Sequence, residues 1–185
     1  MSDILERLGR ISSRMAKPEF LQNKGLSNEV GIHFFCYDPA DEPIVCAYFD
    51  KLKAGPHPSF RLIDCDLYKI FLSICEEKRI LHSISGIEKR KGREFLLEQL
   101  HNVASPEAFV EKMCYSPHAF GDILLISGVG KVFPFMYAHN ILDNIQHLFA
   151  DIPVVLLYPG SFNGKQMKLF DRFVEGNYYR AFNLL

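Results

Sequence analysis

The chain has 185 residues, a formal net charge of −1 and 48% hydrophobic residues, with 16 Phe, 8 Tyr and no Trp. That length is most simply one domain, spanning 1–185, and it buries roughly 70% of its unfolded surface without needing disulfides or a structural metal. Near-neutral charge excludes a global field that draws the protein to nucleic acid or membrane, so any nucleic-acid contact is local. The opening MSDILERLGRISSRMAK is interrupted by charges and lacks the apolar core of a signal peptide. Instead Asp3 and Glu6 make a capping-box-like start, and Ile4, Leu5, Leu8, Ile11 and Met15 recur at helical spacing, which predicts an N-terminal helix.

GIHFFCYDP is an apolar run stopped by Asp38 and Pro39, and it reads as a buried strand at 31–37. DEPIVCAYFDKLK places Ile44, Ala47, Tyr48 and Leu52 on one helical face, with Pro43 near its start. A strand at 59–64 follows. Asp66 is positioned to cap a helix whose Leu67, Ile70, Phe71 and Ile74 keep the helical period. Between about 87 and 116, GIEKRKGREFLLEQL and SPEAFVEKM read as two helices without an intervening strand, an insertion into the alternating plan, the second opened by Ser105 at the N-cap and Pro106 at N1. Alternation resumes with a strand at 122–127, the helix FMYAHNILDNIQHLF, a strand at 153–158, a polar turn GSFNGKQ, a short helical MKLFDRF and a last strand at 178–184. Apolar strands alternating with amphipathic helices predict an α/β fold: three layers around a mostly parallel sheet of about five strands.

The five cysteines, Cys36, Cys46, Cys65, Cys75 and Cys114, are odd in number and form no C-x-x-C. They read as reduced, buried thiols of a cytoplasmic protein, and no run approaches the roughly 20 apolar residues of a membrane span.

The stretch GDILLISGVGKVFPFMYAHN has the strand, glycine turn and helix of a phosphate loop. Such a loop needs a first Gly where Leu125 stands and a hydroxyl where Val132 stands, and Pro134 forces Phe133 out of the helical region, so the helix is expected to begin after Lys131. PGSFNGKQ is a second near miss: Gly164 and Lys165 are one residue short of the spacing from Gly160, and Gln166 replaces the hydroxyl. Gly128, Gly130, Lys131, Gly164 and Lys165 are therefore candidates for a degenerate anion site only, against a reading as tight turns with exposed lysines. The seven His show no metal-ligand spacing, and Ser127 lacks a nucleophile elbow. Asp38 and Asp64 end strands where catalytic carboxylates sit in α/β enzymes, and where turn-capping Asp also sits. No catalytic residue, metal or cofactor is assigned.

The strings GLSNEVGIHFFCYDPADE, ISGVGKVFPFMYAHNILDNIQ, PVVLLYPGSFNGKQMKLF and NYYRAF, in this order and spacing, closely resemble the BrxB family of bacterial BREX phage-exclusion systems. The resemblance covers nearly the whole chain and is loosest around KRKGREFLLEQL. It implies a P-loop-like or Rossmann-like domain without working nucleotide motifs. It also implies an accessory role without established catalysis, beside a PglZ-type protein of the alkaline phosphatase superfamily, a large ATPase and a methyltransferase. Aromatics exceed what one short C-terminal helix and strand bury, so Phe133, Phe135, Phe162, Phe170, Tyr178, Tyr179 and Arg180 are candidates for contact with the PglZ-type partner. The competing readings are a nucleotide-binding protein and a DNA-binding accessory factor. For the latter, Lys89, Arg90, Lys91 and Arg93, or Lys165, Lys168, Arg172 and Arg180 among aromatics, are the local basic groups, each offset by neighbouring acids.

Overall fold

The computed structural model describes residues 3–23, 31–57, 59–177 and 181–185, with Asn177 described in its backbone only. In chain order the elements are α1 Asp3–Met15, α2 Pro18–Leu21, β1 Ile32–Tyr37, α3 Glu42–Ala54, β2 Arg61–Asp66, α4 Leu67–Glu77, α5 Ile84–Lys91, α6 Arg93–Val103 and α7 Pro106–Met113. After these come β3 Asp122–Ser127, α8 Val129–Val132, α9 Ala138–Ile145, β4 Val154–Phe162, β5 Gln166–Leu169, β6 Phe173–Asn177 and β7 Ala181–Asn183. Strands β2, β3, β4, β1 and β7 lie side by side in that order, all parallel. The α/β class and the mainly parallel sheet are those the alternation predicts.

Each strand sends alternate side chains to opposite faces, and this splits the interior into two cores. Phe34, Leu124, Ile126, Leu156 and Tyr158 meet Phe71, Leu100, Phe109 and Leu142 from α4, α6, α7 and α9 on one face. Phe35, Leu125, Val155 and Leu157 meet Leu8, Ile11, Val45 and Phe49 from α1 and α3 on the other. With both faces covered, β1, β3 and β4 must be apolar on both sides, which is why they read as unbroken apolar runs. Two expected caps form: the Asp66 carboxylate accepts from the Tyr68 and Lys69 N–H groups, and the Ser105 hydroxyl accepts from the Ala108 N–H.

The ends of the elements differ from expectation for local reasons. Asp3 is the first helical residue of α1 and Leu5 is exposed, while Ile4, Leu8, Ile11 and Met15 are buried as the spacing predicts. The inward face of α3 is Val45, Phe49 and Leu52, one residue round from the face through Ile44, which is exposed. Cysteine burial is also less complete than expected, since Cys65 and Cys75 are buried but Cys114 is exposed.

The largest correction concerns the C-terminal third, where strands run into both ends of the expected polar turn and the expected helical MKLFDRF divides between β5 and β6. β4 continues to Phe162, and β5 and β6 add to it as an antiparallel extension, giving seven strands among the described residues rather than about five. Two signals favour strand here. Met167 and Leu169 are buried while Gln166 and Lys168 are exposed, a period of two, and the Asn163 side chain accepts from the N–H groups of Lys165 and Gln166 to close a hairpin turn. The last strand is the short β7, and residues 178–180 of the expected strand lie outside the described residues.

Candidate functional site

The glycine turn leaves the carboxyl end of β3 through Gly128, whose φ of 74° is the left-handed conformation that Gly adopts without a steric penalty. The short helix α8 starts there and already contains Lys131, earlier than expected. It stops at Phe133, whose ψ of 136° is the extended state that Pro134 demands, and the main helix α9 begins only at Ala138. A phosphate loop presents its N–H groups to the ligand. Here the N–H groups of Lys131 and Val132 instead donate to the Gly128 carbonyl, at 3.1 and 2.9 Å.

Both glycines are also held by packing. A Cβ on Gly128 would lie 2.5 Å from Oδ1 of Asp66, and one on Gly130 would lie 2.8 Å from the Phe170 ring and 3.1 Å from Pro159. The space an anion would use against Gly130 is therefore filled by an aromatic ring of the same chain. Lys131 is exposed and lines a small cleft of about 160 Å³ with Asp50, Lys53, Asp66 and Lys69. Lys53 in that cleft is already paired with Asp50 and Asp64, at 2.9 and 3.0 Å. Gly164 and Lys165 are elsewhere, at the exposed tip of the β4–β5 hairpin. Asp38 caps the turn after β1 by accepting from the Ala40 N–H, and Asp64 lies inside β2.

The candidate partner-binding aromatics separate into two groups. Phe162 stacks on Phe34 at 4.5 Å in the core, and Phe135 stacks on Phe71 at 4.6 Å against α4. Phe133 and Phe170, by contrast, come together at the surface with Phe173 and Tyr137. The Phe133 ring lies 4.9 Å from Phe173, 5.6 Å from Tyr137 and 6.1 Å from Phe170. Phe173 is 46% exposed and its neighbour Val174 58% exposed, so this cluster presents apolar surface to solvent. Tyr178, Tyr179 and Arg180 lie outside the described residues.

On β6, two residues after Phe173, lies Glu175, which the sequence presents only as one of several acids. It is 5% exposed, and among the described residues neither carboxylate oxygen has a hydrogen-bond partner of full geometry. Burial pushes its carboxyl up to about 7, and the Ala138 N–H at the start of α9 offsets only part of that. The Tyr158 hydroxyl is likewise buried without a hydrogen-bond partner among the described residues, and burial together with the Glu175 charge raises its pKa. Register explains the inward turn: Lys168 pairs with Val174 and Met167 with Gly176, so Glu175 is the extra residue of a β-bulge, a feature that re-aims a side chain.

At the opposite end of the sheet, Asp122 opens β3 and is 2% exposed. Its carboxylate accepts from Nε and Nη2 of Arg61, both at 2.8 Å, from the Tyr115 hydroxyl at 2.9 Å and from the Ala119 N–H at 3.0 Å. The Arg61 hydrogen bonds lead in lowering its carboxyl to about 2. Sequence reading passed over this residue too, because an Asp at a strand start carries no signal of what it will meet.

A family model described as "BREX protein BrxB" matches residues 63–184. A "BREX protein BrxB" of Bacillus cereus (strain H3081.97) is 34% identical over 192 aligned residues, covering 100% of this chain and 99% of that protein. A second, of Escherichia coli O9:H4 (strain HS), is 24% identical over 180, covering 97% and 90%. No solved structure matches. Among the described residues no helix is long and apolar enough to cross a membrane.

Proposed function

The chain belongs to the BrxB family of BREX phage-defence proteins, and we propose that within that system it is a non-catalytic interaction component that docks the PglZ-type protein through Phe133, Phe170 and Phe173. The observation that carries this reading is an aromatic cluster in which half-buried Phe133 and Phe170 support the exposed Phe173. Aromatic side chains are enriched at protein interfaces and supply much of the binding energy there, because one ring buries a large area at small entropic cost. The cluster is preorganised: Gly130 seats the Phe170 ring from below, and Phe133 is fixed in its extended backbone between α8 and α9. The Gly-Lys turn supports this surface in place of a phosphate, since its N–H groups of Lys131 and Val132 are spent on Gly128.

The test is co-purification of the tagged protein with the PglZ-type component at physiological salt. Wild type co-elutes, and Phe173→Asp, a change at a half-exposed ring, abolishes co-elution while leaving the melting temperature close to wild type. Elution alone in every pairing with BREX components sinks the interaction reading, and undiminished co-elution of Phe173→Asp moves the interface elsewhere. The competing DNA reading predicts sub-micromolar binding of the isolated protein to a short duplex at about 150 mM salt, where nonspecific contacts are already weakened.

A further inference from the structure

The helical segment between α4 and β3 carries a second feature, separate from the aromatic cluster. Helix α5 has no fully buried residue. It packs on α6 across the turn at Gly92 (φ 87°), and residues of both helices line a groove of about 270 Å³. Ile84 and Ile87 form one wall, and Phe95 and Val103 the other. Leu96 and Leu100 are buried and fix the floor, whereas Ile84, Ile87 and Phe95 are only half-buried.

Charge is distributed unevenly along this groove. Among the described residues, the charged groups that line it are Arg90 and Lys91, both on the last turn of α5. Arg90 is bent back along the helix, with Nε donating to the Gly86 carbonyl at 3.2 Å, and the Lys91 ammonium lies 4.4 Å above the Phe95 ring. The nearest acid on the same helix, Glu88, is engaged by Arg93 at 3.4 Å. One end of an apolar slot is therefore cationic, and no carboxylate among the described residues lines it.

We propose that this groove receives an amphipathic helix of another protein, with apolar anchors at helical spacing and Asp or Glu beside them to meet Arg90 and Lys91. The volume is below the range of roughly 300–1,000 Å³ typical of small-molecule sites, and it suits one or two side chains of a helix laid in a groove. The mouth selects the sign of the partner: an acid placed there meets two cations, one of them already over an aromatic face, while a basic helix meets like charge. A nucleic-acid strand fits less well, because two cations beside an apolar slot leave its other phosphates unneutralised.

The experiment uses the full chain and a displayed library of random-sequence helical peptides of about sixteen residues, long enough to carry two turns of i, i+3/i+4, i+7 anchors. Peptides enriched on wild type and counter-selected on Ile87→Glu are then measured by fluorescence anisotropy. The expected result is enrichment of acidic amphipathic sequences, whose affinity falls tenfold or more in the double variant Arg90→Glu, Lys91→Glu, a change at exposed positions that leaves the melting curve unaltered. Absence of enriched peptides overturns the proposal. So do enriched peptides that are basic, or that bind the double variant as well as wild type. A wild-type dimer that Ile87→Glu converts to monomer assigns the groove to a second copy instead, and also overturns it. Co-purification with the PglZ-type component is read out separately at Phe173, so neither result decides the other.

Discussion

Two buried carboxylates, Asp122 at the amino end of β3 and Glu175 in the hairpin beyond the carboxyl end of β4, are treated oppositely by the fold. Asp122 accepts four hydrogen bonds, two from Arg61, and its carboxyl falls to about 2. Glu175 is also buried, finds no hydrogen-bond partner of full geometry among the described residues, and its carboxyl rises to about 7. A buried charge with its full set of donors locks an element in place, and one without them costs the desolvation of the group. The amino end is thus built for stability. The carboxyl end carries an unfavourable buried acid on the same strand as the exposed Phe173, the kind of local cost expected if the proposed docking face lies there.

The strongest way to break this contrast is Asp122→Ala. Loss of four charge-assisted hydrogen bonds, leaving the Tyr115 hydroxyl and the Ala119 N–H without their acceptor, is expected to cost about 3 kcal/mol in urea denaturation. A loss under about 1 kcal/mol would show that water replaces the network freely, and the amino end would not be the stabilised one.

Glu175→Gln sharpens the other half, with the opposite sign. Below the ordinary carboxylate range the folded and unfolded chains both hold the proton. As pH rises towards 7 the unfolded chain has released it while the folded one keeps it, so the contribution of Glu175 to stability is lost through the folded pKa. The variant, which approximates the protonated acid, should be more stable than wild type by roughly 2–3 kcal/mol at pH 8 and nearly equal at pH 4. Equal stability at both pH values means that the Glu175 site is wet or rearranged. Asp122 works in the reverse direction: its contribution is present above the ordinary carboxylate range and lost as pH falls through about 2.

Gly130→Ala probes the seat of the Phe170 ring. The new Cβ meets a ring edge at 2.8 Å, and swinging that ring aside should cost about 1 kcal/mol and weaken co-purification with the partner more than it lowers the melting temperature. The smallest effect is expected at Lys131→Ala. An exposed lysine in a turn changes stability by under about 0.5 kcal/mol, and phage exclusion should remain largely intact. Complete loss of defence with a normal melting temperature would make the turn a binding site after all.

The sequence by itself determined the parts of this protein that depend on local physics. Helical spacing in α1 and α4, period-free apolar runs in β1, β3 and β4, and the caps at Asp66 and Ser105 are each legible within about ten residues, because periodicity and capping are local. The incompatibility of Val132 and Pro134 with a phosphate loop was legible for the same reason. Tertiary structure decided that QMKL is a strand, since an edge hairpin is stabilised by the strand it joins. It also decided that the Phe170 ring sits over Gly130, forty residues earlier in the chain. The two carboxylates make the same point. Asp122 and Glu175 look alike in one dimension, and their opposite fates follow from a neighbouring strand that supplies Arg61 to one and a bulge that turns the other inward. Those are register relations between distant segments, which no local pattern encodes.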